Sequence, residues 1–226
     1  MQSTIIAIDG FASTGKSTLS KRLAHHLGYT YVDTGYMFRA ICHQYVQAKG
    51  VPNHPLSEAD FDALLSNCLF EWKIDANGKQ QMAMNGRVFG DEIRTPAISD
   101  LVSKVAVLSN VRTHLLNQQR SLSKATSVVM DGRDIGTVVF PKAQFKFFLT
   151  ADPEERAKRR FEEMKAKGIS GDYKSVLKNV QERDLMDSTR EIAPLKKAED
   201  AIEIDTTSLN IDEVFSLLLS HLGSAN

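Results

Sequence analysis

The sequence has 226 residues, 42% of them hydrophobic and 25% charged, which suits one soluble globular domain with room for an insertion. Lysine plus arginine and aspartate plus glutamate are equal at 28 each, so the chain has no general attraction for nucleic acid or an anionic membrane, and any anion site must be built locally from a few arginines. Two cysteines, Cys42 and Cys68, make no disulfide framework or metal spacing, and with neither a signal-peptide pattern nor a run of the roughly 18 apolar residues of a membrane helix, the chain reads as cytoplasmic.

Thr4 to Ile8 is a short isoleucine-rich run that predicts a strand buried on both faces, as in a parallel sheet, and Asp9-Gly10 ends it. From Lys16 to Leu27, leucines at 19, 23 and 27 mark one helical face, closed by Gly28. Tyr29 to Asp33 predicts the next strand and Gly35 to Ala48 the next helix, the alternation of an α/β fold. Gly50 to Pro55 reads as a linker. Leu69 to Ile74 and Gln80 to Met84 flank Asp75-Ala76-Asn77-Gly78-Lys79, a hairpin signal, and Asn85-Gly86 is a second turn, so this stretch predicts a small antiparallel insertion. Helical spacing resumes near Ser99 and predicts one helix to about Ser123. Ser127 to Met130, ending on Asp131-Gly132, and Phe145 to Leu149 predict buried strands. Pro153 opens a strongly charged helix, the 168–171 segment interrupts it, and a second charged helix follows. Ala201 to Asp205 predicts a last strand and Ile211 to Leu222 a last helix.

Between the first strand and helix lies Gly10-Phe11-Ala12-Ser13-Thr14-Gly15-Lys16-Ser17, spaced glycine, four residues, glycine, lysine, serine, with Thr18 following. Glycine permits the turns that point successive backbone N–H groups into one concavity, and the helix N-terminus adds positive potential, so the loop is built to hold the phosphates of ATP. Lys16 is placed to reach the β- and γ-phosphates and the Ser17 hydroxyl to ligate Mg²⁺. The expected fold is α/β of the P-loop NTPase type: a three-layer parallel sheet flanked by helices, with a small antiparallel β insertion and a helical lid. The loop leaves the second substrate open.

Residues at strand ends bear on that substrate, because α/β sheets bind ligands there. Thr34 and Arg39 follow the second strand and are expected to face the phosphate-loop crevice; read alone, they fit an N-cap and a solvated arginine equally. In Asp131-Gly132-Arg133-Asp134, Asp131 could hold a Mg²⁺-bound water and Arg133 a phosphate. Arg156, Arg159 and Arg160 share one helix face, as do Arg183, Asp187 and Arg190. Such faces are usually solvated, but phosphoryl transfer needs positive charge on the transferring group and exclusion of water, which an arginine-rich flap tipped by 167–171 supplies.

Together, the loop, Asp33-Thr34-Gly35-Tyr36-Met37-Phe38-Arg39, Ile93-Arg94-Thr95-Pro96, Ser103-Lys104-Val105-Ala106 with Val111-Arg112, the 131–141 segment, and 182–190 followed by Ala193-Pro194-Leu195 resemble the bacterial cytidylate kinases over nearly the whole chain. The resemblance implies a single kinase domain: core 1–38, 100–152 and 190–226, a nucleoside-monophosphate-binding insertion over about 39–99, and a lid over about 153–189. It implies ATP, with Mg²⁺, as donor and CMP or dCMP as acceptor, no nucleic acid or membrane partner, and catalysis by Lys16, Arg133 and Arg183. Ser103, Arg112 and Asp134 would read the cytosine, Arg39, Arg133 and Arg183 would hold the acceptor phosphate, Asp187 the ribose, and Arg190 would lie close to the nucleotide. Arg156, Arg159 and Arg160 would belong to the lid over ATP. The loop departs from the family pattern, which often reads Pro-Ser-Gly-Ser and ends Lys-Gly-Thr; Ser17 here is closer to the general motif and should meet the metal directly.

The cytosine reading makes chemical sense. Asp134 can accept from the N4 amine while Arg112 donates to N3 or O2; uracil reverses both patterns, a mismatch worth on the order of 10²-fold in selectivity. The rivals are a kinase for UMP or for an alcohol acceptor, and a regulatory switch, although the chain has no Asn-Lys-x-Asp guanine motif. An RNA-binding module is disfavoured by the balanced charge and the lack of a stacking motif. No long apolar surface helix demands a partner, so a monomer is expected.

Overall fold

β1 (Ile5–Gly10) is buried from Ile6 onward, because strands flank it on both sides and helices pack on the face that carries Ile6 and Ile8. The computed structural model describes residues 3–78, 80–124 and 126–223. The chain forms two compact units, Met1–Tyr31 with Thr126–Asn226, and Val32–Ala125.

The main sheet has the order β2-β5-β1-β6-β7, with β2 (Thr30–Asp33), β5 (Val128–Asp131), β6 (Phe145–Thr150) and β7 (Ile202–Asp205), all within the first unit except Val32 and Asp33 of β2. β1 runs parallel to β5 and β6, and β6 parallel to β7. This register sets Ile8 beside Asp131 and Gly10 beside Leu149, so the ends of β1, β5 and β6 meet at one edge. α1 (Lys16–Leu27) and α8 (Ile211–Gly223) bury Leu19, Leu23, Val214, Phe215 and Leu218 against Ile6, Ile8, Val129, Phe147, Leu149 and Ile204. Each such side chain contributes about 1.5–3 kcal/mol, enough to fix α1, and with it the loop that precedes it.

α6 (Pro153–Ala166) and α7 (Tyr173–Thr189) are capped by the side chains of Asp152 and Asp172. They share only a small core of Ala157, Val176 and Val180, ringed by Phe161, Met164, Tyr173 and Leu177. Much of their remaining surface is charged, although α7 also exposes Leu185 and Met186.

The second unit opens with α2 (Thr34–Lys49). Its N-cap is Asp33, which accepts from Tyr36 N–H at 2.8 Å, so Thr34 is the first helical residue rather than a cap. A short 3₁₀ turn and α3 (Asp62–Leu65) lead to the expected hairpin of β3 (Phe70–Ile74) and β4 (Gln80–Met84), which pairs Trp72 with Met82; Lys79 in its turn lies outside the described residues. The single helix expected from Ser99 to Ser123 is two: α4 (Pro96–Val105) and α5 (Ser109–Leu122). Thr95 caps α4, with Pro96 in its first turn. The break closes through Ala106 N–H to Val102 O and Leu108 N–H to Val105 O. It contains no glycine or proline, and Val105, Leu108, Val111 and Leu115 are all buried, so the apolar spacing runs through it unmarked.

Candidate active site

The phosphate loop hangs on Gly10. Its φ is 141°, and a Cβ there would stand 2.0 Å from the Leu149 carbonyl oxygen of β6, so only glycine lets the chain leave the sheet at this point. Ser13 and Gly15 are also left-handed, with φ of 60° and 87°. Gly15 caps α1 without a side-chain bond, so the first N–H groups of the helix stay available for an anion. Lys16 is 5% exposed, and its Nζ donates to the Phe11 carbonyl within the same loop. Burial, then the nearby Arg133 guanidinium, pushes its ammonium down to about 7, against the pull of Asp131, Asp9 and Asp187.

Ser17 is exposed and Asp131 buried. Ser17 Oγ donates to Asp131 Oδ2 at 2.7 Å, and Tyr31 Oη donates to Asp131 Oδ1 at 2.9 Å. Asp131 thus meets the Ser17 hydroxyl directly. Thr18 is exposed beside it.

Asp9, which sequence reasoning treated only as a strand end, is 4% exposed and accepts from Ile135 N–H at 2.8 Å and Gly136 N–H at 2.7 Å. Burial pushes its carboxyl up to about 7, opposed by those two bonds and reinforced by Asp134. It pins the π-helical turn Ile135–Val139, whose opening bonds run to the Asp134 carbonyl from Val138 N–H at 2.8 Å and Val139 N–H at 3.1 Å. Asp134 is itself buried.

Four expected residues come together between β5 and α7. Arg133 Nε donates to Asp187 Oδ2 at 2.8 Å, and Arg190 Nη1 lies 3.7 Å from Asp187 Oδ1. Burial pulls the Asp187 carboxyl up, but Arg133, Arg183 and Arg190 outweigh it and hold the group below its ordinary value. The carboxylate expected at the ribose is therefore engaged by arginines in the free protein.

The three arginines expected in a lid have separate attachments. Arg156 is 2% exposed; it donates to Ala151 O at 2.9 Å, to Ala12 O in the phosphate loop at 3.3 Å, and to both carboxylate oxygens of Asp184. Its guanidinium also lies 5.0 Å above the Phe11 ring. Arg159 donates to the Thr206 and Thr207 carbonyls at 2.6 and 3.1 Å, in the turn after β7. Arg160 is half-buried.

In the second unit, Arg39 Nη2 and Arg94 Nη2 converge on Asp33 Oδ2 at 2.8 and 3.4 Å. Thr34 is buried. Ser103, on α4, is 6% exposed and its Oγ has no partner among the described residues. Arg112, on α5, donates to the carbonyl of Ala106 at 3.2 Å, in the α4–α5 break. Sequence reasoning missed Asp9, Tyr31 and Asp33 as organising groups and left Arg94 without a role. An acid ending an apolar strand, and one opening a helix that carries an arginine, were the signals for Asp9 and Asp33.

A serine hydroxyl beside a carboxylate suits a hard divalent cation that keeps waters and phosphates in its other positions, the habit of Mg²⁺. No cluster of three or more His, Cys, Asp or Glu side chains among the described residues offers a different site. Among the same residues, no helix is long and apolar enough to cross a membrane.

Sheet order, left-handed loop and buried lysine belong to the P-loop kinases, enzymes that move a phosphoryl group from a nucleoside triphosphate. The family model described as cytidylate kinase matches residues 6–223, and the chain belongs to the cytidylate kinase family. The cytidylate kinase of Flavobacterium johnsoniae is 47% identical over 220 residues, covering 97% of this chain and 96% of that protein. That of Parabacteroides distasonis is 43% identical over 226 residues, covering 100% and 99%. In fold alone, an uncharacterized protein from Eubacterium ventriosum is similar, with a TM-score of 0.53 at 14% identity over 99% of each chain.

Proposed function

We propose that the chain transfers the γ-phosphoryl group of Mg²⁺-ATP to CMP or dCMP, giving ADP and CDP or dCDP. Family membership supports the reaction. The observation that carries the mechanism is the buried Lys16 ammonium, depressed by burial and resting on a loop carbonyl that polyphosphate oxygens would replace.

The phosphate loop 10–18 holds the donor phosphates through backbone N–H groups and Lys16. Ser17 and Asp131 would hold Mg²⁺, which would supply positive charge to offset that of the donor phosphates. Arg39, Arg133 and Arg183 bind the acceptor phosphate. Because that phosphate is already a nucleophile, the protein needs no strong base and forms no covalent intermediate; it positions the reactants and offsets charge. Asp187 takes the ribose once its arginines turn to phosphate, and Arg190 stays beside it. Ser103, Arg112 and Asp134 read the cytosine. α6 and α7 serve as the lid, with Arg156, Arg159 and Arg160 on its donor side, excluding water that would hydrolyse ATP. We take the working form to be a cytoplasmic monomer.

The test is an ADP-release assay with CMP, dCMP, UMP and AMP. CMP or dCMP should exceed UMP by on the order of 10²-fold in kcat/KM. Equal rates with CMP and UMP would remove the role given to Asp134.

A further inference from the structure

Asp131 is 4% exposed and hydrogen-bonded by two neutral hydroxyls. One belongs to Ser17, which the proposed reaction uses. The other belongs to Tyr31, on the strand next to β5 in the sheet, which that reaction leaves idle. A buried carboxylate needs donors on both oxygens, and its plane turns about a single soft torsion unless both are held. The Tyr31 phenol holds Oδ1 at 2.9 Å, which leaves Oδ2 facing the Ser17 hydroxyl at 2.7 Å. With its proton committed to Oδ2, the exposed Ser17 oxygen presents its lone pairs to the loop.

We infer that Tyr31 is a positioning residue for the divalent cation: it locks Asp131 so that Ser17 stands ready as a metal ligand before nucleotide arrives. A ligand oxygen whose proton is drawn to a fixed carboxylate is a better donor to a cation, as with outer-shell groups at metal sites generally. The inference rests on the reading of Ser17 and Asp131 as the Mg²⁺ site. It gives the phenol a role distinct from packing, because the ring of Tyr31 also lies against the main core of this unit and would remain there without the hydroxyl.

The experiment is titration of Mn²⁺, followed by electron paramagnetic resonance, into the full-length protein saturated with a non-hydrolysable ATP analogue, in wild type, Tyr31→Phe, Ser17→Ala and the double variant. Tyr31→Phe should weaken Mn²⁺ binding by roughly tenfold, with KM for CMP unchanged. On the Ser17→Ala background the same change should have a clearly smaller effect, because the hydroxyl it positions is gone and only the Asp131 contribution remains. That comparison holds even if Tyr31→Phe lowers Tm. Equal Mn²⁺ affinity in wild type and Tyr31→Phe, or an equal loss on both backgrounds, would overturn the inference. If wild type and Ser17→Ala bind Mn²⁺ alike, the metal site itself has been misassigned.

Discussion

Arg156 and Asp184 form a two-pronged ion pair between α6 and α7, and the same guanidinium also holds the Ala12 carbonyl of the phosphate loop. Two hydrogen bonds between planar groups constrain the geometry of this contact between the two charged helices. Asp184 sits between Arg183 and Asp187 on α7, so the pair also sets where those residues fall.

Removing Asp184 leaves an arginine that is 2% exposed without its counter-ion. Breaking one partner of a buried pair costs about 3–5 kcal/mol. Asp184→Ala should therefore lower Tm by roughly 10 °C in a melt followed by circular dichroism. Loss of only a degree or two would mean that Arg156 finds other partners readily.

Lys16 supplies a pH signature. Burial and Arg133 hold its ammonium down at about 7, against an ordinary 10.5, so the free folded protein lacks this proton between those values. Triphosphate oxygens favour the charged form and restore the proton on binding. ATP binding at pH 8 should take up a proton, and affinity should fall as pH rises above 7. Calorimetry in buffers of different ionisation enthalpy reads this directly, and Lys16→Ala should abolish the uptake and lower kcat by roughly 10³-fold.

Two glycines of positive φ should respond differently. A Cβ at Gly10 would stand 2.0 Å from the Leu149 carbonyl, whereas one at Gly28 meets nothing within 4 Å. Gly28→Ala should cost about 1 kcal/mol for the left-handed backbone alone. Gly10→Ala must push β1 away from β6, and should yield little soluble protein. Comparable melting of both variants would contradict the close approach at β6.

Ser103 separates binding from stability. Its hydroxyl is buried without a partner among the described residues, a penalty of about 1–3 kcal/mol that an alanine removes. Ser103→Ala should leave Tm unchanged or raised while increasing KM for CMP. A fall in Tm together with an unchanged KM would assign the hydroxyl to the fold rather than to the base.

The phosphate loop, the alternation of strands and helices, the hairpin at β3 and β4, and the arginines on α7 were all legible in the amino-acid order. Each rests on local chemistry: loop spacing, a period of two or 3.6, turn residues at Asp75 to Gly78. Those signals need no knowledge of what packs against them. The α4–α5 break was not legible, since both helices bury apolar residues in continuous spacing and the turn uses no breaker.

The candidate site divides in the same way. Lys16, Ser17 and Arg133 could be named as candidates from sequence, because residue type and motif point to phosphate, and Asp187 as a ribose candidate from the family resemblance. Tyr31 on Asp131, Asp9 on the Ile135 and Gly136 amides, and Arg156 on Asp184 and Ala12 could not. Apart from the link to Asp184, each of these contacts joins residues at least 100 positions apart. Sequence alone nominated the groups proposed to bind phosphate. Sheet register and helix packing decided which of those groups are held in place, because a carboxylate or guanidinium acquires its orientation only from partners that folding delivers.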